Sequence, residues 1–96
     1  MLQLSEQHQT MVLNILKPLL STHNIYAFGS KARHTAKTFS DLDLCIEGKK
    51  LSFEEVSTLK DQFTDSDLPY FVDLLQKCHL IQKMYDSIKK EFVVLN

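Results

Sequence analysis

The segment from Asp41 to Glu47 constrains the fold of this chain most strongly, because its apolar and polar residues alternate strictly. Side chains in a β-strand point alternately to the two faces of a sheet. One face of this predicted strand therefore belongs to a core, and the other, which carries Asp41 and Asp43, must meet water or a ligand. The residues expected to face the core are Leu42, Leu44 and Ile46.

Helical and extended segments are predicted to alternate along the chain. Apolar residues recur at three- and four-residue intervals from Leu4 to Leu20, which is typical of an amphipathic helix. Ser5 is its expected N-cap, and Pro18 is expected to kink or end it. The predicted order is α-β-α-β-α-β-α. The later elements are a strand at 25–28, a helix from 30 to about 35, the strand at 41–47, a helix opened by a capping box at 52–55, a strand at 70–75, a helix near 80–88 and an apolar tail at 92–95.

Size and composition limit the classes of protein to consider. The chain has 96 residues, so we expect one domain over residues 1–96 with a single modest core. A formal net charge of -1 argues against a nucleic-acid polymer as partner, and no apolar run is long enough for a membrane span. The start of the chain lacks the pattern of a signal peptide, and two cysteines suit a reducing compartment, so a cytoplasmic protein is predicted.

Gly29 and Ser30 form a predicted turn between a strand and a short helix, close in sequence to the two aspartates. A glycine permits the backbone of such a turn, and its N–H groups can hold phosphate. Paired carboxylates on one strand face are a common way to bind a divalent metal ion. Together these features indicate phosphoryl or nucleotidyl transfer.

The predicted helix after this turn carries a basic cluster, Lys31, Arg33, His34 and Lys37. Such a cluster suits one small phosphorylated ligand. The alternatives are a solvated basic face and, for Arg33 in particular, a surface salt bridge.

Asp73 lies within the predicted third strand and is flanked by apolar residues. A buried charge is costly without a partner, so Asp73 calls for an explanation. If the third strand neighbours the second, Asp41, Asp43 and Asp73 converge, and magnesium or manganese would relieve their repulsion. The alternatives are that Asp41 and Asp43 cap a surface turn and that Asp73 pairs with a lysine.

These motifs together resemble the minimal nucleotidyltransferase (MNT) branch of the DNA polymerase beta-like superfamily. The residues that carry the resemblance are Gly29-Ser30 with Arg33, then Ser40-Asp41-Leu42-Asp43-Leu44, then Val72-Asp73-Leu74. The resemblance implies an α/β (α+β) nucleotidyltransferase fold, with a small mixed sheet of three to four strands and helices on one face. His34 and Phe92 depart from the family pattern, because glycine is frequent at both places.

The resemblance also implies roles for individual residues. Asp41 and Asp43 would hold two magnesium ions, and Asp73 would bind the ion nearer the acceptor and help to take its proton. Gly29 and Ser30 would cradle the triphosphate of ATP, and Arg33 would reach its phosphate oxygens.

For function, the resemblance implies an antitoxin that transfers AMP from ATP to a partner protein. That partner would be a helical RNase toxin of the HEPN type. Two alternatives remain open. The chain could neutralise its partner by contact alone, with nucleotide binding but no turnover, or it could modify a small molecule.

Overall fold

The computed structural model describes residues 4–33 and 40–96. The predicted alternation of helices and strands is present, and the apolar tail adds a fourth strand. No helix in the described ranges is long and apolar enough to cross a membrane. The elements are α1 (Glu6–Leu20), β1 (Asn24–Phe28), α2 (Ser30–Arg33), β2 (Leu42–Glu47), α3 (Phe53–Thr64), β3 (Val72–Gln76), a 3-10 turn (Lys77–His79), α4 (Gln82–Lys89) and β4 (Val93–Val94).

The four strands form one mixed sheet in the order β3-β2-β1-β4. β1 runs antiparallel to both β2 and β4, whereas β2 and β3 are parallel. The predicted mixed sheet is therefore confirmed. The parallel pairing of β2 with β3 meets the condition under which the aspartates of the two strands come together.

The two longest helices begin at the predicted caps. The Ser5 hydroxyl accepts a hydrogen bond from the His8 N–H at 3.1 Å, and α1 continues past Pro18 to its end at Leu20. At the start of α3, Ser52 and Glu55 form the reciprocal capping box that the sequence predicts. Each cap satisfies backbone N–H groups that have no partner within the helix.

The core lies between one face of the sheet and helices α1 and α3. The three apolar residues of β2 that were expected to face inward are buried there. They pack in one cluster with side chains of β1 and of the two helices. The helical members of this cluster are Val12, Leu16, Leu20, Leu59 and Phe63.

Helix α4 packs against the other face of the sheet. Its buried Tyr85 packs edge-on against Phe92, and the Tyr85 hydroxyl donates to the Glu47 carboxylate at 2.8 Å. Phe92 in turn stacks on Tyr26 of β1, with 4.7 Å between the ring centroids. Helices α1 and α3 thus lie on one face of the sheet, as expected. Helix α4 covers one end of the opposite face and does not cover the end that carries Asp43.

Candidate active site

Asp43 and Asp73 are direct neighbours across the parallel pair of strands β2 and β3. Each lies on the face opposite the core, and their side chains share a hydrogen bond. Asp41 precedes β2 and is exposed. The structure therefore brings two of the predicted carboxylates into contact and holds the third within electrostatic range of Asp43.

The pKa of Asp43 is raised above its ordinary value. Burial is the largest cause, followed by the negative charges of Asp73 and Asp41 and by the hydrogen bond to Asp73. The positive charge of Arg33 acts in the opposite direction. Among residues 4–33 and 40–96, the effect of the neighbouring carboxylates on Asp43 thus exceeds that of Arg33, as in sites that bind a cation.

The donor set suits a hard divalent cation. Within residues 4–33 and 40–96, no group of three or more His, Cys, Asp or Glu side chains forms a ready-made metal cage. Magnesium does not need one, because it is commonly held by one or two carboxylates together with substrate phosphates. The hydrogen-bonded pair of Asp43 and Asp73 fits that pattern.

Gly29 ends β1 and places the turn directly against the Asp43 carboxylate. Its φ of +78° is one that side-chain-bearing residues rarely adopt, and a Cβ at this position would overlap Asp43 Oδ2. Only glycine therefore allows the turn and the carboxylate to approach this closely. The predicted closeness of the Gly29-Ser30 turn to the acidic site is present in the structure.

Arg33 closes the first turn of α2 and forms an ion pair. Its backbone N–H donates to the Gly29 carbonyl at 3.0 Å, and its guanidinium Nη1 donates to Glu91 Oε2 at 2.7 Å. The Gly29 N–H donates to the other oxygen of Glu91 at 2.9 Å. The salt bridge that was one alternative for Arg33 is thus present, and its partner is Glu91.

Lys31 does not belong to a solvated basic face. It is buried, with its ammonium 4.1 Å from the centre of the Tyr70 ring, and burial lowers its pKa. The Tyr70 hydroxyl lies 3.1 Å from His8 Nδ1. Lys31 therefore ties α2 to the chain ahead of β3, and it is not presented to a ligand as expected. His34 and Lys37 of the predicted cluster lie outside the described residues.

An open cleft of about 620 Å³ lies beside the acidic site, on the β3 side. Asp41 and Asp73 are part of its lining, together with Lys60, Phe63 and Thr64 of α3 and largely apolar residues at 68–72. Phe71, which belongs to this lining, is 74% exposed. Across the sheet the order is therefore the Gly29 turn, Asp43, Asp73 and then the cleft.

The other end of the same sheet face is closed and neutralised. The carboxylate of Glu47 accepts a hydrogen bond from Tyr85 and lies 3.6 Å from the Lys77 ammonium. Cys45 is fully buried here, and burial is the main cause that raises its pKa to about 11. Cys45 is therefore a packing residue, because a buried thiol with a raised pKa is a poor nucleophile.

Residues 11–95 match the model of the family described as "Polymerase beta, Nucleotidyltransferase". The match spans all six predicted site residues. This chain therefore belongs to the polymerase beta-like nucleotidyltransferase family, as its motifs indicated.

A "Probable protein adenylyltransferase MntA" of Haemophilus influenzae is 36% identical to this chain over 95 residues, which is 98% of this chain and 83% of that relative. A crystal structure described as "toxin-antitoxin with AMP-PNP" has the same fold, with a TM-score of 0.75 and 20% identity over 92% of this chain and 72% of that one. The predicted enzyme class and fold are confirmed by these matches.

Sequence reasoning missed Glu91 as part of this region. Glu91 is separated from Arg33 by 58 positions and from Gly29 by 62, so no local spacing rule connects them. Its one signal is its place as a charged residue immediately before the apolar tail. That tail becomes β4 beside β1, which brings Glu91 to the turn.

Proposed function

We propose that this protein is a magnesium-dependent nucleotidyltransferase that transfers AMP from ATP to a hydroxyl group of a partner protein in the cytoplasm. The partner would be a HEPN-type RNase toxin, which the transfer would neutralise. The observation that carries this proposal is the contact of Asp43 with Asp73, beside a glycine turn that leaves no room for a side chain. Similarity to a probable protein adenylyltransferase and to a toxin-antitoxin with AMP-PNP supports the choice of a protein acceptor and of an adenine nucleotide.

Asp43 and Asp73 would hold magnesium, with Asp41 as a further ligand. When bound, magnesium would polarise the α-phosphate and lower the pKa of the attacking hydroxyl. The raised pKa of Asp43 supports this assignment, because a cation would stabilise the ionised pair. We expect two ions when ATP is bound, since its phosphates supply further oxygen ligands.

The Gly29-Ser30 turn and Arg33 would bind and orient the triphosphate. Backbone N–H groups at the start of α2 and a guanidinium favour phosphate oxygens, whereas the Gly29 N–H itself donates to Glu91. The α2 turn keeps Arg33 in register with Gly29. Arg33 is half-exposed, so the N–H groups that do not contact Glu91 can reach a ligand. Orientation of this kind supplies much of the rate enhancement in phosphoryl transfer.

The acceptor would approach from the β3 side. The Gly29 turn lies on the β1 side of Asp43, whereas Asp73 and the open cleft lie on the other side. A hydroxyl arriving there would attack the α-phosphorus, its oxygen–phosphorus bond would form, and the bond to pyrophosphate would break. Asp73 would help to take the proton that the hydroxyl loses.

The test is to purify the chain with the product of its neighbouring gene and to measure the intact mass of that product after incubation with magnesium and ATP. We expect a mass increase of one or more AMP groups and loss of toxicity. Asp43→Asn should abolish both changes. Asp86→Asn is the matched control, because Asp86 is an exposed carboxylate on α4 that accepts a hydrogen bond from the Gln82 side chain at 2.8 Å.

The contact-only alternative makes a different prediction for the same experiment. Neutralisation without a mass change, equally strong in Asp43→Asn, would contradict the proposed transfer. A nucleotide attached to an added small alcohol and never to the protein would favour the small-molecule alternative.

A further inference from the structure

The carboxylate of Glu91 joins the two ends of the candidate phosphate-binding turn. One oxygen accepts from the Gly29 N–H at 2.9 Å, and the other accepts from Arg33 at 2.7 Å. Together with the hydrogen bond from the Arg33 N–H to the Gly29 carbonyl, this closes a ring of three contacts. Glu91 therefore fixes the groups that the proposed function assigns to the triphosphate.

Contacts of the neighbouring chain segment fix the position of the Glu91 backbone. Its N–H donates to the Ile88 carbonyl at 2.9 Å at the end of α4. The next residue, Phe92, stacks on Tyr26 with an angle of 6° between the rings. Because both flanking contacts are made, the carboxylate is placed by the fold as well as by Arg33.

The side from which Glu91 reaches the turn shows whether its carboxylate supports the turn or blocks the phosphate site. β4 lies on one side of β1, and β2 with Asp43 lies on the other. Glu91 precedes β4, so it supports the turn from the side away from the acidic site. A carboxylate that blocked the phosphate site would instead lie between the turn and Asp43.

We propose that Glu91 is a positioning residue, which holds the Gly29 turn and orients the Arg33 guanidinium for the donor phosphates. This inference rests on the proposed function. Arg33 has five N–H donors in a planar fork, so one contact with Glu91 fixes the plane and leaves others for phosphate. The lowered pKa of Glu91, caused first by the hydrogen bond from Arg33 and then by that from Gly29, keeps the carboxylate charged.

The test compares wild type with Glu91→Gln in nucleotide binding and in turnover. The probe is a non-hydrolysable ATP analogue with magnesium, measured by calorimetry. We expect its Kd and the KM for ATP to rise about tenfold, the size of one charge-assisted hydrogen bond, while kcat changes less than about threefold. Glu54→Gln is the matched control, because it removes the same charge from the exposed first turn of α3 and should leave Kd unchanged.

Two further measurements separate positioning from a general structural role. In an Arg33→Lys background, Glu91→Gln should raise Kd less than about threefold, because residues that act through one contact are not additive. The Gly29 amide, one of only two glycine amides in the chain, should exchange its hydrogen about tenfold faster in Glu91→Gln. If Glu91→Gln does not fold, Glu91→Asp carries the same test, because it keeps the charge and shortens the reach.

The outcomes distinguish this inference from the proposed function. A wild type that binds no nucleotide would overturn both. A wild type that binds, with Glu91→Gln binding equally or more tightly, would overturn the positioning role alone, and tighter binding would identify Glu91 as a competitor of phosphate.

Discussion

Asp43 and Glu47 lie on the same face of the same strand, yet the protein treats their charges in opposite ways. Glu47 accepts a hydrogen bond from Tyr85 and faces Lys77, beneath the cover that α4 provides. Asp43 is partly buried and contacts a second carboxylate, at the end of the sheet that α4 does not cover. The comparison separates a charge that contributes to stability from one whose repulsion is tolerated, which is expected of a site that binds a cation.

The largest expected difference between the two ends is in catalysis. Asp43→Asn should lower the rate of nucleotide transfer about 1000-fold or more, equivalent to about 4 kcal/mol of transition-state stabilisation. Its free energy of unfolding should stay equal or rise, because one repelling charge is removed. Glu47→Gln should transfer nucleotide within about twofold of wild type but unfold about 1 kcal/mol more easily. Initial rates and urea unfolding test this pair of variants. Equal losses of activity in both would contradict the assignment of catalysis to Asp43 and of stability to Glu47.

The two glycines allow a second comparison of the two ends of the sheet, because Gly29 lies against Asp43 and Gly48 follows Glu47. Gly29→Ala would meet the Asp43 carboxylate, and Gly48→Ala would meet the His23 ring at 2.7 Å. Because both glycines have positive φ, each variant should lose about 2 kcal/mol of unfolding free energy. Thermal shift with magnesium and ATP should then separate them, since Gly48→Ala keeps the nucleotide-induced rise in Tm and Gly29→Ala loses most of it. A full nucleotide-induced shift in Gly29→Ala would contradict the role of the turn.

At the neutralised end, Tyr85→Phe should lower the free energy of unfolding by about 1 kcal/mol, because it removes the hydrogen bond to Glu47. The packing against Phe92 would remain, so the loss reports the hydroxyl alone. Nucleotide affinity should not change. Urea unfolding at pH 7 measures the effect, and a stability equal to wild type would show that solvent replaces the bond.

The smallest expected effect is a pH dependence of the difference in unfolding free energy between wild type and Tyr85→Phe. The hydrogen bond to Glu47, followed by burial, raises the pKa of Tyr85 to about 12 from 10.0. A raised folded-state pKa stabilises the protein fully below the unfolded value and loses this contribution as pH rises through the folded value. The stability gap between wild type and Tyr85→Phe should therefore narrow as pH increases from 10 towards 12. A gap that widens over that range would contradict the assignment.

The sequence predicted most of the fold because its signals are local. Alternation identified the two faces of β2, and the capping box placed the start of α3, since both depend on neighbouring residues. The meeting of Asp43 and Asp73 followed only on the condition that their strands pair, which local patterns do not decide. The roles of Asp41, Asp43 and Asp73 as metal ligands, and of Gly29, Ser30 and Arg33 in nucleotide binding, remain predictions.

The contacts that sequence reasoning did not predict are long-range. Glu91 reaches Gly29 and Arg33 only because the chain returns as β4, and Tyr85 meets Glu47 only because α4 covers the second face. Lys31 was expected to serve a small phosphorylated ligand, but it is buried against the Tyr70 ring, and its position in a basic cluster gave no sign of that contact. Burial of this kind depends on tertiary packing, which composition and spacing do not encode.

We propose that the carboxylates of Asp43 and Asp73 serve transfer of a nucleotide to a partner protein. The most direct measurement incubates the purified pair of proteins with ATP labelled on either the α- or the γ-phosphate, in the presence of magnesium. We expect the α-label to appear on the partner, the γ-label to be absent from it, and Asp43→Asn to transfer neither label. Transfer of the γ-label, or neutralisation of the partner without any label, would contradict this proposal.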